Sequence, residues 1–192
     1  ATPTYKSIAH LPLAQRVAAM RQPEVRQRIL SEDPFEGSTF PLFKLMGFDK
    51  LYERTFLLTD PPNYEPPKET SVAAIARREG RSAAEVAYDM LLSNAGRDFL
   101  YVAFTSFDDF TLSSVQETLT HRNALIGLGD AGAHVGFITD ASFTTWLLKH
   151  WGRDRPAGRQ PVEELVRRYT SDAAGAVGLH DRGRIQVGLK AD

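Results

Sequence analysis

The sequence predicts an α/β protein in which helices predominate. Two apolar runs of strand length, residues 99–104 and 124–128, lie on either side of a segment with helical character at 112–119. Uninterrupted apolar character is typical of strands buried on both faces, and the first run is also rich in aromatic and β-branched residues. A strand, a helix and a strand within roughly thirty residues predict a parallel, right-handed βαβ unit.

Helical spacing of apolar residues recurs over much of the chain. It predicts two short helices at 13–20 and 24–30. A third helix is expected between Ser71, which can cap its start, and Gly80, which can end it. The pattern Ser82-Ala-Ala-Glu85 is a capping box that opens a fourth helix. Because almost no loop separates the last two, they should form an αα-hairpin, and nothing in it suggests chemistry.

The carboxyl-terminal third has the same helical character. The predicted helices cover the segment around 143–150, with Asp140 or Ser142 as its cap, a segment opened by Pro161 with acidic residues in its first turn, and an alanine-rich segment from 171 that Gly178 ends. His150 and His180 fall at helix ends. Each is therefore expected to be a surface or capping histidine.

Three other stretches are distinctive. Residues 54–59 could form a short strand, whereas four prolines within 60–67 predict a linker. The segment 33–47 mixes prolines and glycines with large apolar side chains. Such an apolar loop needs a surface to cover it, and it either packs on a core or forms part of a pocket wall or lid.

Composition excludes several classes of protein. A chain of 192 residues with 42% hydrophobic residues can build one domain with a substantial core. A net charge of −1 offers no general attraction for nucleic acid or an anionic membrane, and no apolar run reaches the length of a membrane helix. There is no cysteine, which excludes a disulfide framework and a thiol nucleophile. Without a signal peptide pattern, a cytoplasmic protein is expected.

The most informative stretch is Gly127-Leu-Gly-Asp130-Ala-Gly-Ala-His134. Its glycines suit a tight turn after a strand, which would place Asp130 at the carboxyl end of the 124–128 strand, where α/β proteins bind ligands. Taken singly, Asp130 could be a turn former or helix cap, and His134 a packing residue. Together they could transfer protons, coordinate a metal or bind an anion.

This motif and two segments after it resemble a known family. Those segments are Thr145-Trp-Leu-Leu-Lys-His-Trp-Gly-Arg-Asp154 and the run from Tyr169 to Asp192, which contains Gly-Leu-His-Asp-Arg-Gly and Gly-Leu-Lys-Ala-Asp. They are similar to the carboxyl-terminal portion of N-acyl-D-amino-acid deacylases, the D-aminoacylase-like members of the amidohydrolase superfamily. The resemblance is strongest over 99–192, and its tail pattern is shared by many amidohydrolases.

The resemblance implies a fold and a mechanism. It implies the last βα units of a (β/α)8 barrel over 96–178, a helical insertion or lid region over 1–95, and the start of a return to a small β-domain over 179–192. Asp130 matches the aspartate that ends the last barrel strand, which serves in catalysis and also contacts the metal, zinc. His134 would bind the substrate, a small-molecule N-acyl amino acid.

The histidines depart from the family pattern. Those at positions 10, 121, 134, 150 and 180 include no His-x-His pair, so the metal-binding half of the site would lie outside this chain. The chain begins without a methionine and ends in what resembles a turn before a strand, so a piece of a longer protein is expected. Alone it should be inactive, and its open edges should pair with another copy or with the missing amino-terminal segment. The alternative is a non-catalytic binding or assembly module, with Asp130 as a turn cap and the 33–47 loop as its interface.

Overall fold

The computed structural model describes residues 1–33, 48–107, 109–127, 129, 131 and 141–191. The chain divides into two compact units, residues 1–112 and 113–192. Most of the apolar loop predicted at 33–47 lies outside the described residues. The division into an insertion, barrel units and a return segment remains a prediction.

Three short helices open the first unit: α1 (Pro3–Ile8), α2 (Leu13–Met20) and α3 (Pro23–Ser31). The bounds of α2 are those predicted, and α3 is one residue longer at each end. Helix α1 was not predicted, although its start carries a local signal. The hydroxyl of Thr2 accepts a hydrogen bond from the Tyr5 amide at 3.3 Å, and Pro3 occupies the first helical position.

The predicted αα-hairpin is confirmed as α4 (Val72–Glu79) and α5 (Ala83–Leu92). Ser71 caps α4, and Gly80 ends it in the left-handed conformation with φ of 65°. The capping box of Ser82 and Glu85 is formed in both directions. The facing sides of the hairpin form a core cluster of Val72, Ala76, Val86 and Ala87.

The strands of the first unit are β1 (Thr55–Leu57) and β2 (Leu100–Val102), and they pair antiparallel with Phe56 opposite Tyr101. The short strand predicted at 54–59 is thus confirmed. A strand does form within the predicted run 99–104, but the prediction that this run is buried is wrong, since Phe99 is 69%, Val102 37% and Phe104 42% exposed. A small antiparallel sheet needs only one covered face, so apolar character alone overestimated the burial of this run.

The proline-rich segment 60–67 contains no helix or strand, as a linker should. It is nevertheless attached to the first unit. The Tyr101 hydroxyl donates to the Tyr64 carbonyl at 3.4 Å, and the Leu112 amide donates to the Glu65 carboxylate at 2.8 Å. The segment therefore lies within a unit and does not separate two units.

The described part of the second unit is helical. It contains α6 (Ser113–Thr120), α7 (Phe143–Lys149), a π-helical turn (His150–Asp154), α8 (Val162–Arg167), a second π-helical turn (Arg168–Asp172) and α9 (Ala173–Ala176). These helices lie where helices were predicted. Ser142 occupies the cap position of α7 without a capping hydrogen bond from its side chain, and Pro161 precedes α8 as its cap. The buried side chains include Leu147, Trp151 and Leu165.

The predicted parallel βαβ unit is not found in the described residues. Residues 124–127 have irregular backbone, and β2 pairs with β1 in the antiparallel sense. A parallel strand requires hydrogen-bonding neighbours on the same sheet, and the described residues pair only β1 with β2. The helix between the two runs is confirmed as α6.

Within the described ranges, no helix is both long enough and apolar enough to cross a lipid bilayer.

Candidate functional site

Asp130 and His134, the two residues that the sequence selects, lie outside the described residues. The described chain leads up to the first of them through Gly127, three residues earlier. The surroundings of residues 120–127 can therefore be described, whereas the roles of Asp130 and His134 remain predictions.

Gly127 is the last residue of the described range 109–127. Its φ lies outside the left-handed range, and a Cβ atom built on it would meet no atom of the described residues within 4 Å. Neither its backbone nor crowding by the described residues therefore requires glycine at this position. The open space beside Gly127 is part of a cavity.

This cavity has a volume of about 670 Å³ and is lined mainly by apolar groups. Residues 125–127 form one side of it. The other lining residues come from the start of α7, the second π-helical turn, α9 and the segment after it: Phe143, Thr144, Tyr169, Thr170, Ala173, Ala174, Ala176, Val177, Leu179, Arg182 and Gly183. Its size falls in the range of small-molecule sites.

Tyr169 contributes an aromatic surface to the cavity. Its ring centroid lies 6.1 Å from that of Phe143, at an interplanar angle of 60°. The Tyr169 hydroxyl is buried, and no described residue is its hydrogen-bond partner. Burial raises the pKa of Tyr169, so its hydroxyl stays protonated at neutral pH.

A charged group lies at the border of the cavity. Arg182 lines it, and the Arg182 guanidinium donates to the carboxylate of Asp181 at 3.0 Å. Hydrogen bonds from Arg182, and then from Lys190, lower the pKa of Asp181. Gly183, next in the chain, has φ of 83° and approaches the backbone of Ser171 so closely that a Cβ atom would lie 2.9 Å from the Ser171 Cα.

Arg168, on the second π-helical turn, contacts the segment 120–124, which leads into the cavity wall. Nη2 of Arg168 donates to the Thr120 carbonyl oxygen at 3.0 Å. Nη1 of the same side chain approaches the carbonyl oxygens of His121 and Ala124 at 3.5 Å each. One guanidinium thus contacts the end of α6 and the turn that follows it.

His150 is buried, with 8% of its surface exposed, so it is not a surface histidine, but it does occupy the carboxyl-terminal cap position of α7, which was the other predicted role. Its ring stacks on that of Trp146 at 4.9 Å and 8°, and meets that of Trp151 edge-on at 5.4 Å and 88°. The guanidinium of Arg155 lies 4.6 Å from the Trp151 ring centroid and also donates to the Gln116 side chain. These contacts give His150 a packing role at the end of α7. His180 is exposed, as predicted.

Sequence reasoning missed Arg168 and Tyr169. Both lie on the second π-helical turn. Arg168 contacts residues more than forty positions earlier in the chain, and Tyr169 lines a cavity together with residues 125–127. No local pattern marks such contacts. Tyr169 begins one of the segments that resemble a known family, but the resemblance assigns no role to this tyrosine.

The potential metal ligands among the described residues are dispersed. Over those ranges, no group of three or more histidine, aspartate or glutamate side chains is close enough together to bind one.

The second unit thus combines a ligand-sized apolar cavity with a chain segment that leads into a glycine-rich acidic motif. A family model described as the amidohydrolase family matches residues 2–192. No curated protein and no solved structure matches the chain. Because the family match covers nearly all of its length, the chain belongs to the amidohydrolase family. Membership indicates hydrolase activity.

Proposed function

We propose that the chain provides the last βα units of a (β/α)8-barrel amidohydrolase that cleaves the amide bond of N-acyl-D-amino acids. Family membership over residues 2–192 carries the hydrolase part of this proposal. The narrower substrate class rests on the resemblance of the segment 127–134 and the tail to D-aminoacylase-like enzymes. The apolar cavity beside Gly127 supports a small-molecule substrate.

Asp130 is the proposed catalytic residue. A carboxylate at the active site can accept a proton from the attacking water and then deliver it to the leaving amide nitrogen. Both transfers use the same oxygen atoms, so one residue can act as base and then as acid. His134 would contact the substrate.

The proposed cofactor of the whole enzyme is zinc, which when bound polarises a carbonyl and lowers the pKa of a water molecule. The described residues do not fit a complete zinc site, since they contain no cluster of potential ligands. The sequence also lacks a His-x-His pair. Most ligands would therefore come from outside these 192 residues, with Asp130 as this chain's contribution. The isolated chain should be inactive, and the whole enzyme is proposed to be cytoplasmic.

A non-catalytic assembly module is the second candidate. Exposed apolar side chains near the carboxyl terminus favour it, because Val177 is 71% exposed and both Ile185 and Val187 are fully exposed. Such residues are typical of surfaces that another protein segment covers. In this case Asp130 would serve only as a turn cap.

Kinetics of Asp130→Asn in the catalytically competent protein that contains this chain would separate the two candidates. We expect the rate of N-acyl-D-amino acid hydrolysis to fall by about 10² to 10⁴. Asp154→Asn is the matched control, since Asp154 is a surface carboxylate paired with Arg153 and Lys149. Equal activity of Asp130→Asn and the parent would contradict the catalytic assignment.

Two further measurements test the substrate and the metal. Comparison of D- and L-enantiomers of one N-acyl amino acid should show preference for the D form, and a preference for the L form would refute the proposed substrate class. Calorimetric titration of the 192-residue chain with zinc should show no tight stoichiometric binding. Tight uptake would refute the proposal that most ligands lie elsewhere.

A further inference from the structure

We infer that Arg168 is a positioning residue, which holds the segment 120–127 in place and thereby sets the part of the cavity wall that residues 125–127 form. The catalytic part of this inference rests on the proposed function. The structural part rests on contacts within the second unit alone.

The contacts suit an arginine in particular. A planar guanidinium presents five N–H groups in fixed directions, so a single side chain can serve several carbonyl oxygens. Here Nη2 donates to the Thr120 carbonyl at 3.0 Å, while Nη1 lies 3.5 Å from each of the carbonyl oxygens of His121 and Ala124. A lysine ammonium at this place would reach fewer of these acceptors in good geometry.

The carbonyl of Thr120, which makes the shortest of these contacts, is one that needs a partner. Helix α6 ends at Thr120, and the last carbonyls of a helix have no partner within the helix. A positive charge there also interacts favourably with the helix dipole. Arg168 thus meets a local requirement of α6 from a position more than forty residues later in the chain.

The turn after α6 depends on the same residues. The amide of Ala124 donates to the His121 carbonyl at 3.1 Å, and the amide of Asn123 donates to His121 Nδ1 at 3.2 Å. Arg168 adds side-chain contacts to both ends of this turn. It therefore joins a locally formed turn to the second π-helical turn.

The position of this turn determines where residues 125–127 lie, because they follow it directly in the chain. Residues 125–127 line the cavity directly after it, and Tyr169, next to Arg168, lines the same cavity. Gly127 precedes Asp130 by three residues. A displacement of about 1 Å in a catalytic group can lower a rate by about a hundredfold, so loss of this contact should affect turnover.

Arg167 provides a matched control. It is the neighbouring arginine, and its guanidinium pairs with Glu164 at 2.8 Å and Asp172 at 2.6 Å on the surface. Arg167→Ala removes the same charge without removing a contact to the turn after α6.

Hydrogen exchange of the 192-residue chain tests the structural part. In Arg168→Ala the amides of His121, Asn123 and Ala124 should exchange at least about tenfold faster than in the parent. The reason is that their turn loses its contacts with the Arg168 guanidinium. Arg168→Lys should give an intermediate rate, and Arg167→Ala no change. If Arg168→Ala does not fold, Arg168→Gln replaces it, since a glutamine amide still donates to one carbonyl. Equal exchange in the Arg168 variants and the parent would overturn the inference.

Kinetics of the catalytically competent protein test the positioning role. We expect kcat to fall by about 10- to 100-fold in Arg168→Ala, with KM changed much less, and to recover partly in Arg168→Lys. An unchanged kcat, or a change in KM alone, would overturn the positioning role. Failure of the proposed function would be seen separately, as activity that survives Asp130→Asn, and the exchange result would still decide whether Arg168 holds the turn.

Discussion

The hydroxyl of Tyr88 donates a hydrogen bond of 2.8 Å to the carbonyl oxygen of Met20, across 68 positions of sequence. Tyr88 lies on α5 and is buried, and Met20 is the last residue of α2. Val17 and Leu92 pack in the same cluster. This contact joins the amino-terminal helices to the αα-hairpin.

Tyr88→Phe should lower the free energy of unfolding by about 1 kcal/mol. The substitution keeps the ring but removes the donor to Met20, and a typical buried hydrogen bond contributes about that amount. Urea denaturation of the parent and the variant measures the difference. Unchanged stability would mean that water replaces the hydroxyl without cost.

The capping box of α5 offers a second test. The Ser82 hydroxyl accepts from the Glu85 amide at 3.2 Å, and the Ser82 amide donates to the Glu85 carboxylate at 3.1 Å. Ser82→Ala should cost about 1 kcal/mol of stability, whereas Ser82→Gly should cost only a few tenths, because glycine is tolerated at the cap. Thermal unfolding of both variants measures this order. A larger loss for the glycine variant would contradict it.

Two glycines near the carboxyl terminus allow the cost of backbone strain and the cost of steric overlap to be measured separately. Gly178 and Gly183 have φ of 78° and 83°. A Cβ atom at Gly178 would meet no described residue within 4 Å, whereas one at Gly183 would lie 2.9 Å from the Ser171 backbone. Gly178→Ala should therefore cost about 1 to 2 kcal/mol from its left-handed backbone alone. Gly183→Ala should cost more.

Chemical denaturation of the two alanine variants gives the comparison directly. The additional loss of unfolding free energy in Gly183→Ala, relative to Gly178→Ala, measures the cost of the overlap with Ser171. Equal losses would show that the backbone at Ser171 moves aside at no cost.

Glu32 should make stability depend on acid pH. The hydroxyl and the amide of Thr4 donate to its carboxylate, the amide at 2.9 Å, and these bonds lower the pKa of Glu32 in the folded chain. Around and below pH 4.3, the ordinary value for glutamate, the unfolded chain binds more protons than the folded chain, so stability falls as the pH decreases. The contribution is fully present at neutral pH.

Glu32→Gln removes this carboxylate while keeping the size of the side chain. The difference in stability between the parent and this variant should be largest near pH 7 and should shrink as the pH is lowered to 3. Urea denaturation at a series of pH values measures it. A difference that stays constant over this range would show that the Thr4 contacts do not favour the charged form.

Local sequence signals determined the helices. Ser71, Gly80 and the Ser82–Glu85 pair act within one helical turn of their own positions, so their effect needs no knowledge of the rest of the chain. The family can also be recognised from the sequence. The motif around Asp130 and the tail are each a contiguous stretch of the chain, and the family match covers residues 2–192.

Burial and strand pairing required the tertiary structure. The run 99–104 is as apolar as a buried strand, but its partner is β1, more than forty residues away, and only the resulting two-stranded sheet decides that Phe99 is exposed. His150 carries the same polar ring as His180, yet only His150 is enclosed by tryptophans.

The candidate site shows the same distinction. The sequence by itself selected Asp130 and His134, because an acid and a histidine after a glycine-rich turn form a local chemical pattern. Only the tertiary structure brought Arg168 to the end of α6 and Tyr169 to the cavity beside Gly127. The physical reason is range: caps and motifs act between near neighbours in the chain, whereas burial and the contacts of a guanidinium depend on which distant segments the folded chain brings together.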